Sequence, residues 1–300
     1  MSLVAQLVLV GGLLLAGFFV LAWRRIERAH AGDADMAAAR LPTPGGLALG
    51  FVANFFDTLG IGSFASTTAW IKFRTLIRDE LIPGTLNVGH ALPTITQAII
   101  FTTAIAVAPV TLVAMVGAAV AGGYLGAGVV AKLPRRGIQL GMGIALLVAA
   151  ALFVLKIFGL LPAGGNALGL SGGVLVFAVV VNFCLGALMQ LGIGLYAPCL
   201  MLVSLLGMNP IAAFPIMMAS CACLMPVGSL KFIRERRYDR RTAIGLAIGG
   251  IPGVFLAAFV VKSLPLQWLY WLVVVVVLYA ATLMLRSALQ PQPVLAGDKA

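Results

Sequence analysis

Leu59-Gly60-Ile61-Gly62 recurs as Leu191-Gly192-Ile193-Gly194, each copy inside a long stretch almost free of charge. Paired glycines at such a place interrupt a helix. Bare N–H and C=O groups cannot face hydrocarbon, so an interruption at lipid depth persists only where protein or a water-filled cavity surrounds it. The helix that restarts after each break presents free N–H groups at its positive end, and such ends attract anions. Ser63, Ser66, Thr67 and Thr68 follow the first break and Tyr196 follows the second, which adds hydroxyl donors to those amides. A cage of neutral donors suits a small oxyanion. The expected substrate-binding residues are therefore Gly60, Gly62, Ser63, Thr67, Gly192, Gly194 and Tyr196. Gln190, directly before the second motif, and Asn87, one helical turn before His90, join them. The competing reading is that the glycines only permit close packing and the hydroxyls bond their own backbone.

Asp57, three residues before Gly60, is the only acid deep in an apolar segment. Leaving a lone carboxylate in hydrocarbon costs at least about 2.5 kcal/mol, so it must face the cavity or be protonated. It is the candidate for coupling transport to protons, with His90 as relay partner. Pro93 and Pro226 fall at equivalent places and should kink matching helices. Asn54, Thr94, Gln97 and Asn182 are expected to make interhelical hydrogen bonds. Cys184, Cys199, Cys221 and Cys223 lie in apolar runs without a CxxC pair and read as buried free thiols. Two histidines sixty positions apart supply no ligand set for a metal or haem, so no cofactor is expected and an enzyme is disfavoured.

The elements that hold these residues are membrane helices. The chain is 62% hydrophobic and 10% charged, against about a quarter charged in ordinary soluble domains. Between Ile157 and Leu230 there is no Asp, Glu, Lys or Arg. Soluble folding is excluded, and the unbroken apolar runs are too long for a β-barrel. The net charge of +11 sits in short gaps between those runs, as expected of cytoplasmic links and not of a nucleic-acid-binding surface. Met1 to Trp23 carries no charge and is followed by Arg24, Arg25 and Arg28, which reads as an uncleaved first helix with its N-terminus outside.

Apolar segments then follow at about 45–73, 84–108, 110–131, 137–159, 172–206, 211–230, 242–261 and 266–285. The two longest hold the glycine motifs. Gly122, Leu125, Ala127, Val129, Val130, Leu133 and Pro134 recur as Gly253, Leu256, Ala258, Val260, Val261, Leu264 and Pro265. Two blocks in one order at nearly one spacing argue for duplication. The segment from Lys231 to Arg241, with six basic and two acidic residues, must be cytoplasmic, whereas its counterpart near Ala108 is neutral. The halves therefore read as inverted, which works if each long segment folds back as a broken or re-entrant hairpin. Gly245, Gly249 and Gly253, like Ala118, Gly122 and Gly126, form small-residue faces for close helix packing.

The expected fold is an all-α polytopic membrane protein: two inverted repeats of about four helical segments, each with a broken or re-entrant first segment, plus an N-terminal helix. The expected units are 1–44 (first helix and cytoplasmic link), 45–160 and 161–287 (the two repeats) and 288–300 (a polar cytoplasmic tail).

The doubled glycine break, the repeated Gly-x-x-Leu block ending in Leu-Pro and the late basic link resemble the TauE/SafE sulfite exporter family over about residues 45–285. The family hallmark is a Gly-x-Gly-Gly-Gly run in each half followed by a proline. Here it reads Gly60-Ile61-Gly62-Ser63-Phe64, with Ser66 where proline would fall, and Gly192-Ile193-Gly194-Leu195-Tyr196, with Pro198 retained. The resemblance implies a permease for sulfite, organosulfonates or related small anions in a bacterial-type inner membrane. The larger side chains at Ser63, Phe64, Leu195 and Tyr196 would reshape its pocket. A secondary transporter working by alternating access is the leading expectation and a passive anion channel the alternative. The expected partners are a small anion and the lipid bilayer, with a homodimer as an admissible assembly.

Overall fold

The computed structural model describes residues 3–29, 41–74, 76–126, 135–158, 165–189, 194–263 and 266–289. Among them run eleven α-helices: α1 Leu3–Ala29, α2 Pro44–Thr58, α3 Ser63–Phe73, α4 Ile82–Ala104, α5 Pro109–Ala121, α6 Arg135–Ile157, α7 Gly172–Met189, α8 Tyr196–Leu205, α9 Pro210–Arg234, α10 Arg240–Ser263 and α11 Leu266–Leu289. Proline starts several of them, where its missing N–H costs nothing. Thr43 caps α2 through Gly46 N–H at 3.0 Å, and Asn209 caps α9 through Ile211 N–H at 3.0 Å. Four helices are long and apolar enough to cross a membrane by themselves: Gln6–Ala29, Gly172–Met189, Pro210–Arg234 and Arg240–Val260. The repeated Leu-Pro pairs at 133–134 and 264–265 lie outside the described residues, as do Lys132 and 290–300.

Helix starts recur along the chain. Ser63 and Tyr196 open α3 and α8, and Ile82 and Pro210 open α4 and α9, so among the described residues five helices of the first series are followed by five of a second at nearly constant displacement. Packing follows the same exchange. α2 lies on α10 as α7 lies on α5, α4 meets α10 as α9 meets α5, and α4·α9 and α6·α11 each pair across the two series. The small-residue faces explain how closely these helices approach. A Cβ at Gly249 would meet the backbone of Leu47, and one at Gly253 that of Phe51, while Gly122 presses on the backbone of Phe183 in the same way. Any side chain there would force the pair apart. α1 stands at the edge, with 11% of its apolar window buried against 72% for α9.

The two ends of the bundle differ in chemistry. At one end, Glu27 Oε1 accepts from Trp23 Nε1 at 3.0 Å, Tyr238 OH at 2.6 Å and Arg240 Nε at 2.6 Å. Burial, reinforced by Glu27, holds the Tyr238 phenol well above the usual tyrosine range, so it stays a donor. Arg241 Nε donates to Leu41 O, and Asp239 N–H donates to Thr85 Oγ1. The end of α1, the starts of α2 and α4, and the basic α9–α10 link therefore gather in one place. At the other end, Ala108 N–H donates to Leu168 O at 2.7 Å and Asn209 N–H to Ala167 O at 2.9 Å. α4, with 23 residues, joins the two ends over about 34 Å.

Candidate functional site

α2 stops because Gly60 and Gly62 adopt φ of 98° and 88°, a left-handed geometry that no right-handed helix continues through and that glycine alone adopts without strain. Gly60 N–H turns back to Asp57 O at 2.8 Å. α3 then restarts at Ser63. A small chamber, with a cavity volume of about 30 Å³, lies against this restart and against that of α8. Its walls carry Asp57, Gly62, Ser63 and Phe64 from the first break and Met189, Gly194, Leu195 and Tyr196 from the second. Thr94 of α4 and Cys221 and Met225 of α9 complete it. A Cβ added to Gly62 or Gly194 would meet nothing within 4 Å, so both glycines border open space.

The positive end of α3 is not left free. Asp57 Oδ1 accepts the Ser63 N–H at 2.5 Å, so the carboxylate reaches across the break to cap the helix that follows it. Its other oxygen accepts from Gln97 Nε2 at 2.9 Å. Gln97 is used completely, since Nε2 also donates to Thr58 Oγ1 at 2.9 Å and its Oε1 accepts from Tyr196 OH at 2.7 Å. One amide of α4 thus ties the acid of the first break to the phenol of the second. α8 begins at Tyr196 with no side-chain cap. No lysine, arginine or histidine lines the chamber, so Asp57 is its one formal charge among the described residues.

His90 belongs to a separate network. Asn54 Nδ2 donates to Gly50 O at 2.8 Å, which leaves Asn54 Oδ1 for His90 Nδ1 at 3.0 Å. Nδ1 therefore carries the proton and Nε2 accepts from Thr67 Oγ1 at 3.2 Å. This neutral imidazole has both nitrogens satisfied and is fully buried. Thr67 is spent on it and lies away from the chamber. Asn87 Nδ2 donates to Pro83 O in its own helix at 2.9 Å. Gly60 is buried behind the break, with Met217 and Val276 at ordinary contact distance from where its Cβ would sit. Gln190 and Gly192 lie outside the described residues.

Of the expected site residues, the structure gathers Asp57, Gly62, Ser63, Gly194 and Tyr196 around one space. Thr94, Met189, Cys221 and Met225 line the same space, and Gln97 makes the interhelical hydrogen bonds expected of it, to Asp57 and Tyr196. The sequence marked Thr94 and Cys221 only as a helix-bonding hydroxyl and a buried thiol, and Met189 and Met225 not at all. Cys221 Sγ lies 3.5 Å from Met189 Sδ, and Thr94 Oγ1 lies 3.6 Å from Met225 Sδ, so one wall is soft and polarisable. The remaining thiols are free, with Cys199 buried and Cys184 exposed.

Helical architecture and span length define a multi-pass membrane protein. Residues 168–299 match the model of the Sulfite exporter TauE/SafE family, so the second series of helices, with its side of the chamber, is similar to that family. No curated protein and no solved structure matches the chain.

Proposed function

We propose that the chain is a secondary transporter that moves sulfite, an organosulfonate or a related small anion across the membrane by alternating access, with the chamber as substrate site. The observation that carries this reading is the chamber itself, walled by residues of both glycine breaks. Irregular backbone at membrane depth is tolerated where it lines a cavity, and paired broken helices are the usual frame of a transporter site. The match of the second half to a family named for sulfite export supports the substrate class.

Topology supports inverted halves. The chain enters α7 near Ala167 and leaves α8 near Asn209, and those two residues are hydrogen-bonded. This return to the starting end supports a re-entrant or two-part hairpin, whether or not Gly172–Met189, long enough to cross alone, spans the membrane completely. In the first half, Leu41 before α2 and Thr85 after α3 both bond the α9–α10 link, which favours a hairpin from the opposite end of α4. The basic links then lie in the cytoplasm, with the N-terminus outside and the C-terminus inside. Asp57 is the one acid placed to couple such transport to protons.

The test is saturable sulfite flux in proteoliposomes. Gly194→Val fills open space without violating a positive φ. It is expected to lower flux at least about tenfold while the protein inserts and purifies normally. Normal flux in this variant would remove the chamber as the site, and unitary currents in the wild type would indicate a channel.

A further inference from the structure

We propose that Asp57 is a tethered anion that occupies the substrate's own position, so that the transported anion binds only when Asp57 takes up a proton and releases the Ser63 amide. This rests on the transport reading and specifies how its site is regulated. The start of α3 is the one helix end at the chamber where a negative charge is already bound, and the bound charge belongs to the chain. Both carboxylate oxygens accept from N–H donors, an arrangement made for the ionised form. Among the described residues no cationic side chain lines the chamber to neutralise a second anion.

Among the described residues, the groups around Asp57 leave no other charge to relieve the conflict. α3 carries no ionisable group before Lys72, and α10 carries none from Thr242 to Val261. α4 supplies His90, whose nitrogens are committed to Asn54 and Thr67. α8 supplies the Tyr196 phenol, bonded to Gln97, and α9 the Cys221 thiol, beside Met189. α11 approaches the break through Val276 and has no charged side chain before Arg286. An entering monoanion and an ionised Asp57 would therefore face each other unscreened. If Asp57 is protonated from the aqueous mouth as the anion arrives, the chamber holds one negative charge before and after. The Ser63 N–H then passes from Asp57 Oδ1 to the anion, and the neutral carboxyl can in turn donate its proton. This favours singly charged substrates over doubly charged ones.

The experiment is calorimetric titration of the full-length protein in detergent with methanesulfonate, whose charge is constant between about pH 5 and 8, in buffers of different ionisation heat. The wild type is expected to take up about one proton per anion at the upper end of that range, its affinity falling towards tenfold per pH unit. Sulfate is expected to bind at least about tenfold more weakly. Asp57→Asn keeps an acceptor for Ser63 N–H and should bind methanesulfonate with no proton uptake and a flat pH profile. Wild-type binding without proton uptake across the range overturns the inference while leaving the transport reading intact. The wild-type measurement decides even if the variant fails to accumulate. An Asp57→Asn protein that keeps the wild-type pH profile also overturns the inference. If methanesulfonate, sulfite and sulfate bind neither protein at any pH, the transport reading falls and takes this inference with it.

Discussion

The two helix breaks share a sequence and a place in the architecture, yet they do different chemistry. At the first, Asp57 bridges the gap to cap α3, and Gln97 holds its second oxygen. At the second, the corresponding positions are Met189 and Leu195 in place of Asp57 and Ser63, and α8 starts with no side-chain cap. The glycines that break the chain recur, whereas the residues that decide charge do not. One break carries a carboxyl group, the other a phenol and the thioether of Met189. Gln97 connects them, because its amide bonds Asp57 on one side and Tyr196 on the other.

Restoring the symmetry should do the most damage. Met189→Asp would put a second carboxylate into a chamber whose lining, among the described residues, holds no cation. The two acids would compete for one set of donors, as like charges sharing a site do. Anion binding at neutral pH is expected to fall at least about a hundredfold, with partial recovery towards about pH 5. Isothermal titration across that range is the measurement. Unchanged affinity at neutral pH would mean that the two breaks do not share a chamber electrostatically.

A smaller effect sharpens the role of the connector. Gln97→Met keeps side-chain length but removes the donor to Asp57 Oδ2 and the acceptor for Tyr196 OH. Losing a donor to the ionised carboxylate makes protonation easier. The pH at which anion binding is half-lost is therefore expected to move upward by about one unit. A variant with lower affinity and the same pH midpoint would reduce Gln97 to a packing residue. Gln97 does not touch the chamber itself, so its influence runs through Asp57 and Tyr196.

Much of this architecture was legible in the chain because it rests on local chemistry. Two glycines two residues apart inside a long apolar run announce a helix break wherever the partner helices lie. Gly245, Gly249 and Gly253 announce a close crossing for the same reason, and Gly249 and Gly253 do press on backbone. Asp57 stood out because an acid in a long apolar segment needs a reason. Gln97 did not, since its importance comes from partners 40 and 99 residues away. Asn87 illustrates the opposite error of inference. Its spacing places it one turn from His90, but its amide satisfies itself on Pro83 O, an option every polar side chain in a helix has. The free amides expected at the first break were also a local inference, and only the three-dimensional path of α2 shows Asp57 already bonded to one of them.

The mildest perturbation lies farthest from the breaks. α1 is peripheral, and its attachment to the α9–α10 link is concentrated in one polar cluster around Glu27. Tyr238→Phe removes one of the three donors to Glu27 Oε1 and the acceptor that Trp23 Nε1 finds at 2.9 Å. Trp23 and Arg240 remain on Glu27, so no charge is orphaned and the loss should be about 1.5–3 kcal/mol of stability, as for a hydrogen bond to a charged group. Thermal melting in detergent is expected to shift down by a few degrees, while anion affinity and its pH profile stay at wild-type values. The two readouts separate scaffold from site. If the pH profile moved with the melting temperature, the basic end of the bundle would be coupled to Asp57, and the division of labour would extend beyond the two breaks to the helix outside the repeat.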